Sequence, residues 1–73
     1  MRAFVDQKGI RWDVVLGRES WGALYALFVP STAGPVRQTL LAAEDRLDAQ
    51  RHLDEMDESG LQELLNRSEP KEG

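Results

Sequence analysis

The chain has no cysteine, and its 73 residues include a single histidine, His52. Without thiols there is no disulfide, thiolate metal site, thiol nucleophile or cysteine-based redox switch. This fits a reducing compartment, and a cytoplasmic location is expected. Long apolar runs are also missing. The stretch WGALYALFVP, residues 21–30, is the most apolar segment, and it is about half of the roughly 20 residues that a helix needs to span a bilayer. The opening MRAFVDQKGIRWD carries charge at Arg2, Asp6, Lys8, Arg11 and Asp13, where a secretory leader would place an apolar core. Neither a membrane span nor export by that route is expected.

Catalytic patterns are equally scarce. Gly9, Gly17, Gly22 and Gly34 fall at turns or strand ends and never form the Gly-x-Gly-x-x-Gly or Walker spacing that cradles phosphates. GRESWG resembles a nucleophile elbow, but Gly17 and Ser20 are one residue too far apart for Gly-x-Ser-x-Gly. His52 lies between Arg51 and Leu53 in a helical stretch, and the expectation is a solvent-facing side chain rather than a ligand or base. Asp54, Glu55, Asp57 and Glu58 follow it without the loop spacing of a calcium site, so a weak surface site for divalent ions is the most they offer. No nucleophile, base and orienting group can be named together. The expectation is a protein without enzymatic activity and without a cofactor.

The formal charge of −4 divides unevenly along the chain. Residues 1–42 carry five basic and three acidic residues, net +2; residues 43–73 carry four basic and ten acidic residues, net −6. Such an asymmetry can mark a binding surface, but polar helix faces rich in Glu and Asp are the favoured reading of the acidic half.

The first half reads as strands joined by tight turns. Phe4 and Val5 open an extended segment that stops at DQKG, where Asp6 suits the first position of a type I turn and Gly9 the left-handed residue after it. Ile10, Trp12, Val14 and Leu16 then alternate with Arg11, Asp13, Val15 and Gly17, the period of a half-buried strand. RES is a polar break, and residues 22–29 form a third strand. PSTAGP closes that strand and leaves VRQTLL, residues 36–41, as a fourth. A competing reading starts a helix at Pro35, which suits a first helical position, and runs it to Met56. Val36 and Thr39 favour the strand, and the apolar positions from 36 to 56 keep to no single helical stripe.

AEDRLDAQRHL has helix composition and contains neither Gly nor Pro. A second helix begins at Asp57, a capping residue, with Met56 placed to pack on Leu61 as a hydrophobic staple and with Leu61, Leu64 and Leu65 as its buried stripe. The expectation is one α+β domain over residues 1–68: an antiparallel sheet of about four strands in 2–41, one or two helices in 43–67 packed on one face, and a flexible tail at 69–73.

Phe4, Asp6, Gly9, Trp12 and Val14 form the pattern Phe-x-Asp-x-x-Gly-x-x-Trp-x-Val. In this the chain resembles a loose group of short bacterial proteins that open with the same hairpin, and the likeness extends through the third and fourth strands to the leucine-rich end. The resemblance implies a hairpin-first architecture and no particular activity.

The third strand carries the functional expectation. Leu24, Ala26 and Phe28 lie on one side and Ala23, Tyr25, Leu27 and Val29 on the other, so neither side is polar. A strand apolar on both sides must be covered on both sides, and the chain has helices for only one. Val15, Tyr25, Leu27, Val29 and Trp21, with Phe4 if the register allows, are expected to form an exposed apolar patch that binds a partner. The partner is a second copy in a homodimer, or a larger cytoplasmic protein. The alternative is a single-stranded nucleic-acid module using Arg2, Lys8, Arg11, Arg18 and Arg37 beside Trp12 and Trp21. Trp12 is in register with core residues, and the net charge repels phosphate, which disfavours nucleic acid.

Overall fold

A computed structural model describes residues 2–18 and 23–71 of the chain. Five strands form one antiparallel sheet in the order of the sequence: β1 (Arg2–Val5), β2 (Arg11–Arg18), β3 (Leu24–Pro30), β4 (Arg37–Leu40) and β5 (Glu69–Pro70). Two helices, α1 (Arg46–Glu55) and α2 (Glu58–Arg67), precede β5. The expected α+β class holds, with five strands in place of four. Residues 37–40 are strand and helix begins only at Arg46, so the long helix from Pro35 does not form. The expected break after Arg18, together with Trp21, lies outside the described residues.

The first hairpin turns as its sequence dictates. The Gly9 amide donates to the Asp6 carbonyl at 3.1 Å, the Asp6 amide donates to the Ile10 carbonyl at 2.9 Å, and Gly9 takes φ of 82°, which a residue without Cβ adopts at little cost. Asp6 organises the turn through its side chain. Its Oδ1 accepts from the Lys8 and Ile10 amides at 2.8 and 2.9 Å, and its Oδ2 accepts from Trp12 Nε1 at 2.8 Å.

This turn pairs Phe4 with Trp12 and Arg2 with Val14. Phe4, Trp12, Val14, Ala26 and Phe28 therefore share one face, and the helices contribute Leu53, Leu61, Leu64 and Leu65 to the same cluster. Phe28 is fully buried at its centre, with the rings of Phe4 and Trp12 edge-on to it at 6.1 and 6.4 Å. Such pairs add to simple area burial.

Both helices begin on the caps that their composition calls for. Asp45 accepts from the Asp48 amide and Asp57 from the Gly60 amide, each at 2.8 Å. Met56, ahead of the second cap, packs against the core cluster. The carboxyl ends are satisfied by groups from the sheet and its last crossing. Arg2 Nη1 donates to the carbonyls of Leu53 and Asp54 at 3.2 and 2.9 Å. Thr39 Oγ1 donates to the Leu64 carbonyl at 2.9 Å, and the buried Ser68 hydroxyl to that of Leu65 at 2.5 Å. Arg37 in turn donates from Nε to Ser68 Oγ at 2.8 Å and from Nη2 to the Ser68 carbonyl at 2.6 Å. These bonds draw the chain after α2 back along β4, where the Lys71 amide meets the Val36 carbonyl at 2.7 Å. Residues 69–70, expected as tail, accordingly pair with Arg37 and Gln38 as a fifth strand.

The Asp6 carboxyl is held below its ordinary value of 3.8, first by the Trp12 hydrogen bond and then by the Ile10 and Lys8 amides and the Lys8 charge, against an opposing effect of burial. A depressed folded value means that this stabilisation is complete above pH 3.8 and is lost as pH falls through the lower, folded value. Acid unfolding of the wild type should show that loss. Asp6→Ala should cost about 2 kcal/mol at neutral pH, since hydrogen bonds to a charged acceptor are among the stronger ones, and should flatten the acid limb of the stability curve. An unchanged acid limb would remove Asp6 from this role.

Candidate functional site: the open face of the sheet

The register that buries Phe4 turns the alternate residues outward. Val5 pairs with Arg11, Ala3 with Asp13, Asp13 with Val29, Val15 with Leu27, Gly17 with Tyr25, and Tyr25 with Leu40. Because cross-strand partners share a face, these residues lie opposite the helices. The smallest dimension of the molecule is 19 Å, the depth of one sheet with one helix layer. Among the described residues no element covers this second face.

Four of the five residues expected in the patch, Val15, Tyr25, Leu27 and Val29, are thus neighbours on the open face. The fifth, Trp21, lies outside the described residues. Phe4 does not join them: only 4% of it is exposed, because the turn sets it opposite Trp12. In its place the open face gains Ala3, Val5 and Leu40. Val5 is 55% and Leu40 61% exposed, against 38% for Val29. The signal for Val5 was present in the turn, since a type I turn with Gly9 in the left-handed position pairs Phe4 with Trp12 and so points Val5 outward. Leu40 follows from the inward Thr39 beside it, which is recognisable only once Thr39 is known to bond the end of α2.

Leu27 and Gly17 make the middle of this face close-packed. A Cβ built on Gly17 would stand 2.7 Å from Leu27 Cδ1 and 2.9 Å from its Cγ, so the leucine lies across the glycine and is half-buried there. Beside it, Gln38 pairs with Leu27 on the same face, and its Oε1 is shut from solvent with no hydrogen-bond partner. A shallow recess of about 360 Å³ opens between Tyr25, Gln38, Leu40, Arg67 and Glu69.

The charges divide differently. Arg11 is exposed and projects from the open face with Asp13 two residues along, while Glu69, paired with Gln38, stands at the far side. Arg2 and Arg37 belong to the helix-covered face and are bonded to carbonyls there. Trp12 is 8% exposed, with its Nε1 on Asp6. His52 is exposed on α1, its Nε2 4.0 Å from Asp48. Among the described residues no three His, Cys, Asp or Glu side chains converge as a metal site, and no helix is long and apolar enough to cross a membrane.

No protein-family model, no curated protein sequence and no solved structure matches the chain.

Gly17→Ala tests the packing of this face. The added methyl must push Leu27 outward, from Cγ on, so the fold should persist with a loss of stability of about 1–2 kcal/mol. The Leu27 methyl resonances should shift while those of Leu53 and Leu61 stay in place. Unmoved Leu27 methyls would mean that the leucine does not lie over Gly17.

Proposed function

We propose that the protein is a small non-catalytic module that associates with a second copy of itself through the open face of its sheet. The observation behind this reading is the apolar strip of Val15, Tyr25, Leu27, Val29 and Leu40, with Val5 beyond Arg11 and Asp13, on the side of the sheet that carries no helix. Its location would be the cytoplasm, where a chain without cysteine loses nothing.

The size of the strip sets the strength of the contact. With strands about 4.8 Å apart and residues about 3.3 Å along each, four strands and four cross-strand rows span on the order of 400 Å² per copy. Two copies then bury roughly 800–1,000 Å², well under the roughly 1,600 Å² of a standard stable interface. A weak, reversible dimer follows, with a dissociation constant in the micromolar range or above.

The choice of a second copy rests on charge. Arg11 carries one sign on this face, and Asp13 and Glu69 the other, so the face offers neither a basic track for phosphates nor a uniformly acidic surface for a polycation. A two-fold axis lets each copy supply the sign that the other needs. The Gln38 amide supports the same arrangement. A buried acceptor without a partner costs about 1–3 kcal/mol, and rotation toward a second copy offers it a donor. For single-stranded nucleic acid the requirements differ. A stacking platform needs exposed aromatics in a basic field, whereas only 8% of Trp12 is exposed and Arg2 and Arg37 lie on the helix-covered side, away from Arg11.

Light scattering at about 100 μM should give a mass approaching twice 8.2 kDa, falling to one chain on dilution to about 1 μM. Leu27→Lys should leave a folded monomer at both concentrations. Phe28→Lys should unfold the chain, since it places an unpaired charge where no side-chain surface is exposed. A wild type that is monomeric at 100 μM and unaffected in stability by Leu27→Lys would sink self-association and leave a different protein as the occupant of the face. Saturable binding of labelled single-stranded DNA or RNA, lost in Arg11→Ala and weakened by salt, would favour nucleic acid instead.

A further inference from the structure

The helix-covered side of the molecule holds a cleft of about 450 Å³ at the end of the sheet, between the first turn, the loop before β4 and α2. Its volume falls within the range of small-molecule sites. Trp12 and Pro30, cross-strand partners on β2 and β3, form an apolar floor. Arg37 stands in the wall and Lys8 at the rim.

The state of Arg37 indicates what such a cleft would take. Its guanidinium is half-buried and held in one orientation by two bonds, from Nε and Nη2, to the hydroxyl and carbonyl of Ser68. A guanidinium has five N–H donors, so this anchoring leaves donors to spare. Among the described residues no carboxylate lies within 4 Å of it. Asp6 is the one carboxylate among the described residues that lines the cleft, and both its oxygens are engaged, one by the Lys8 and Ile10 amides and the other by Trp12 Nε1. Glu69 sits on the opposite face, paired with Gln38. Among the described residues, the cleft therefore contains a fixed cation with donors to spare beside an apolar floor, and no acid that occupies it. Asn66 adds a neutral donor: its Oδ1 accepts from Gln62 Nε2 at 3.0 Å, which leaves Nδ2 for a ligand.

We propose that this cleft binds a small organic acid, a carboxylate carried on a flat apolar body. The carboxylate meets the Arg37 donors that Ser68 leaves free, on Nη1 and Nη2, where two parallel bonds can form, and the body lies on Pro30 and the exposed edge of Trp12. Lys8 adds positive potential at the rim, partly offset by Asp6. The site lies on the helix-covered side, so its occupancy is independent of association through the open face.

Benzoate is the probe. Titrated into ¹⁵N-labelled protein, it should produce saturable shifts of the Trp12 Nε1–H, the Asn66 side-chain amide and the Arg37 Nε–H, with a dissociation constant of about 1 mM, the affinity expected of so few atoms. Benzyl alcohol, of similar shape but uncharged, should bind at least tenfold more weakly, and so should inorganic phosphate, which is charged but has no apolar body. Arg37→Gln should abolish the benzoate shifts. Since that change also removes the Ser68 bonds, the comparison of the three ligands on the wild type carries the test by itself. Leu27→Lys should bind benzoate as the wild type does. Equal binding of benzoate and benzyl alcohol would overturn the role of Arg37, and equal binding of benzoate and phosphate would overturn that of the apolar floor. Shifts confined to Tyr25 and Leu27 would overturn the location.

Discussion

Two helices of ten residues each, about 15 Å long, are all that the described residues lay against the sheet. They cover one face, and the other is left to strand residues in which an apolar strip lies among Arg11, Asp13, Gln38 and Glu69. That limit governs where nearly every other group can go. A helix lying on a sheet presents its last carbonyls to whatever strand passes beneath them, and those carbonyls need donors. Arg2 supplies them for α1. Thr39 and Ser68 do so for α2, with Arg37 holding Ser68 in place. Cations are favoured at helix carboxyl ends, so two of the five basic residues in the first half of the chain belong to the fold. In the sequence they look like part of a phosphate-binding set, yet each is bonded at a helix end.

The same demand explains β5. Glu69–Pro70 is two residues long, and Pro70 has no amide to donate. Nothing in its own propensity makes a strand. It pairs because Ser68 is fixed at the end of α2 by Arg37 and the Leu65 carbonyl, and the next residues have β4 beside them. A segment ordered by what precedes it in space has no signature of its own in the sequence, and a proline among charges reads as a tail.

The legible parts of the sequence are those in which one local rule decides. Asp6 and Gly9 fixed the turn, the alternation of residues 10–17 identified the strand and its faces, and Asp57 marked the start of α2. The third strand, with leucine or aromatic residues on both sides, pointed to a face that its own helices leave open, and Val15, Tyr25, Leu27 and Val29 do lie together there. What escaped depended on counting across a turn or joining distant segments. The face of Phe4 follows from the number of residues in one turn, and a shift of one residue exchanges it with Val5. The cleft brings together residues near positions 8, 12, 30, 37 and 66, and no linear pattern connects these.

The sheet's edges argue that association, where it occurs, uses its face. An exposed edge strand is the other common route by which sheets join. At one edge stands β5, two residues including a proline, too short and too poor in donors to template another strand. At the other stands β1, four residues long, whose first residue is committed through its side chain to the end of α1. Four residues give few ladder bonds, and each contributes only about 1 kcal/mol net. The open face has seven apolar positions from Ala3 to Leu40, and burying each large side chain contributes about 1.5–3 kcal/mol if complete. Even half of that exceeds what the β1 edge can supply. The edge is thus better suited to ending the sheet than to extending it, and the apolar strip remains the surface on which a partner would gain most.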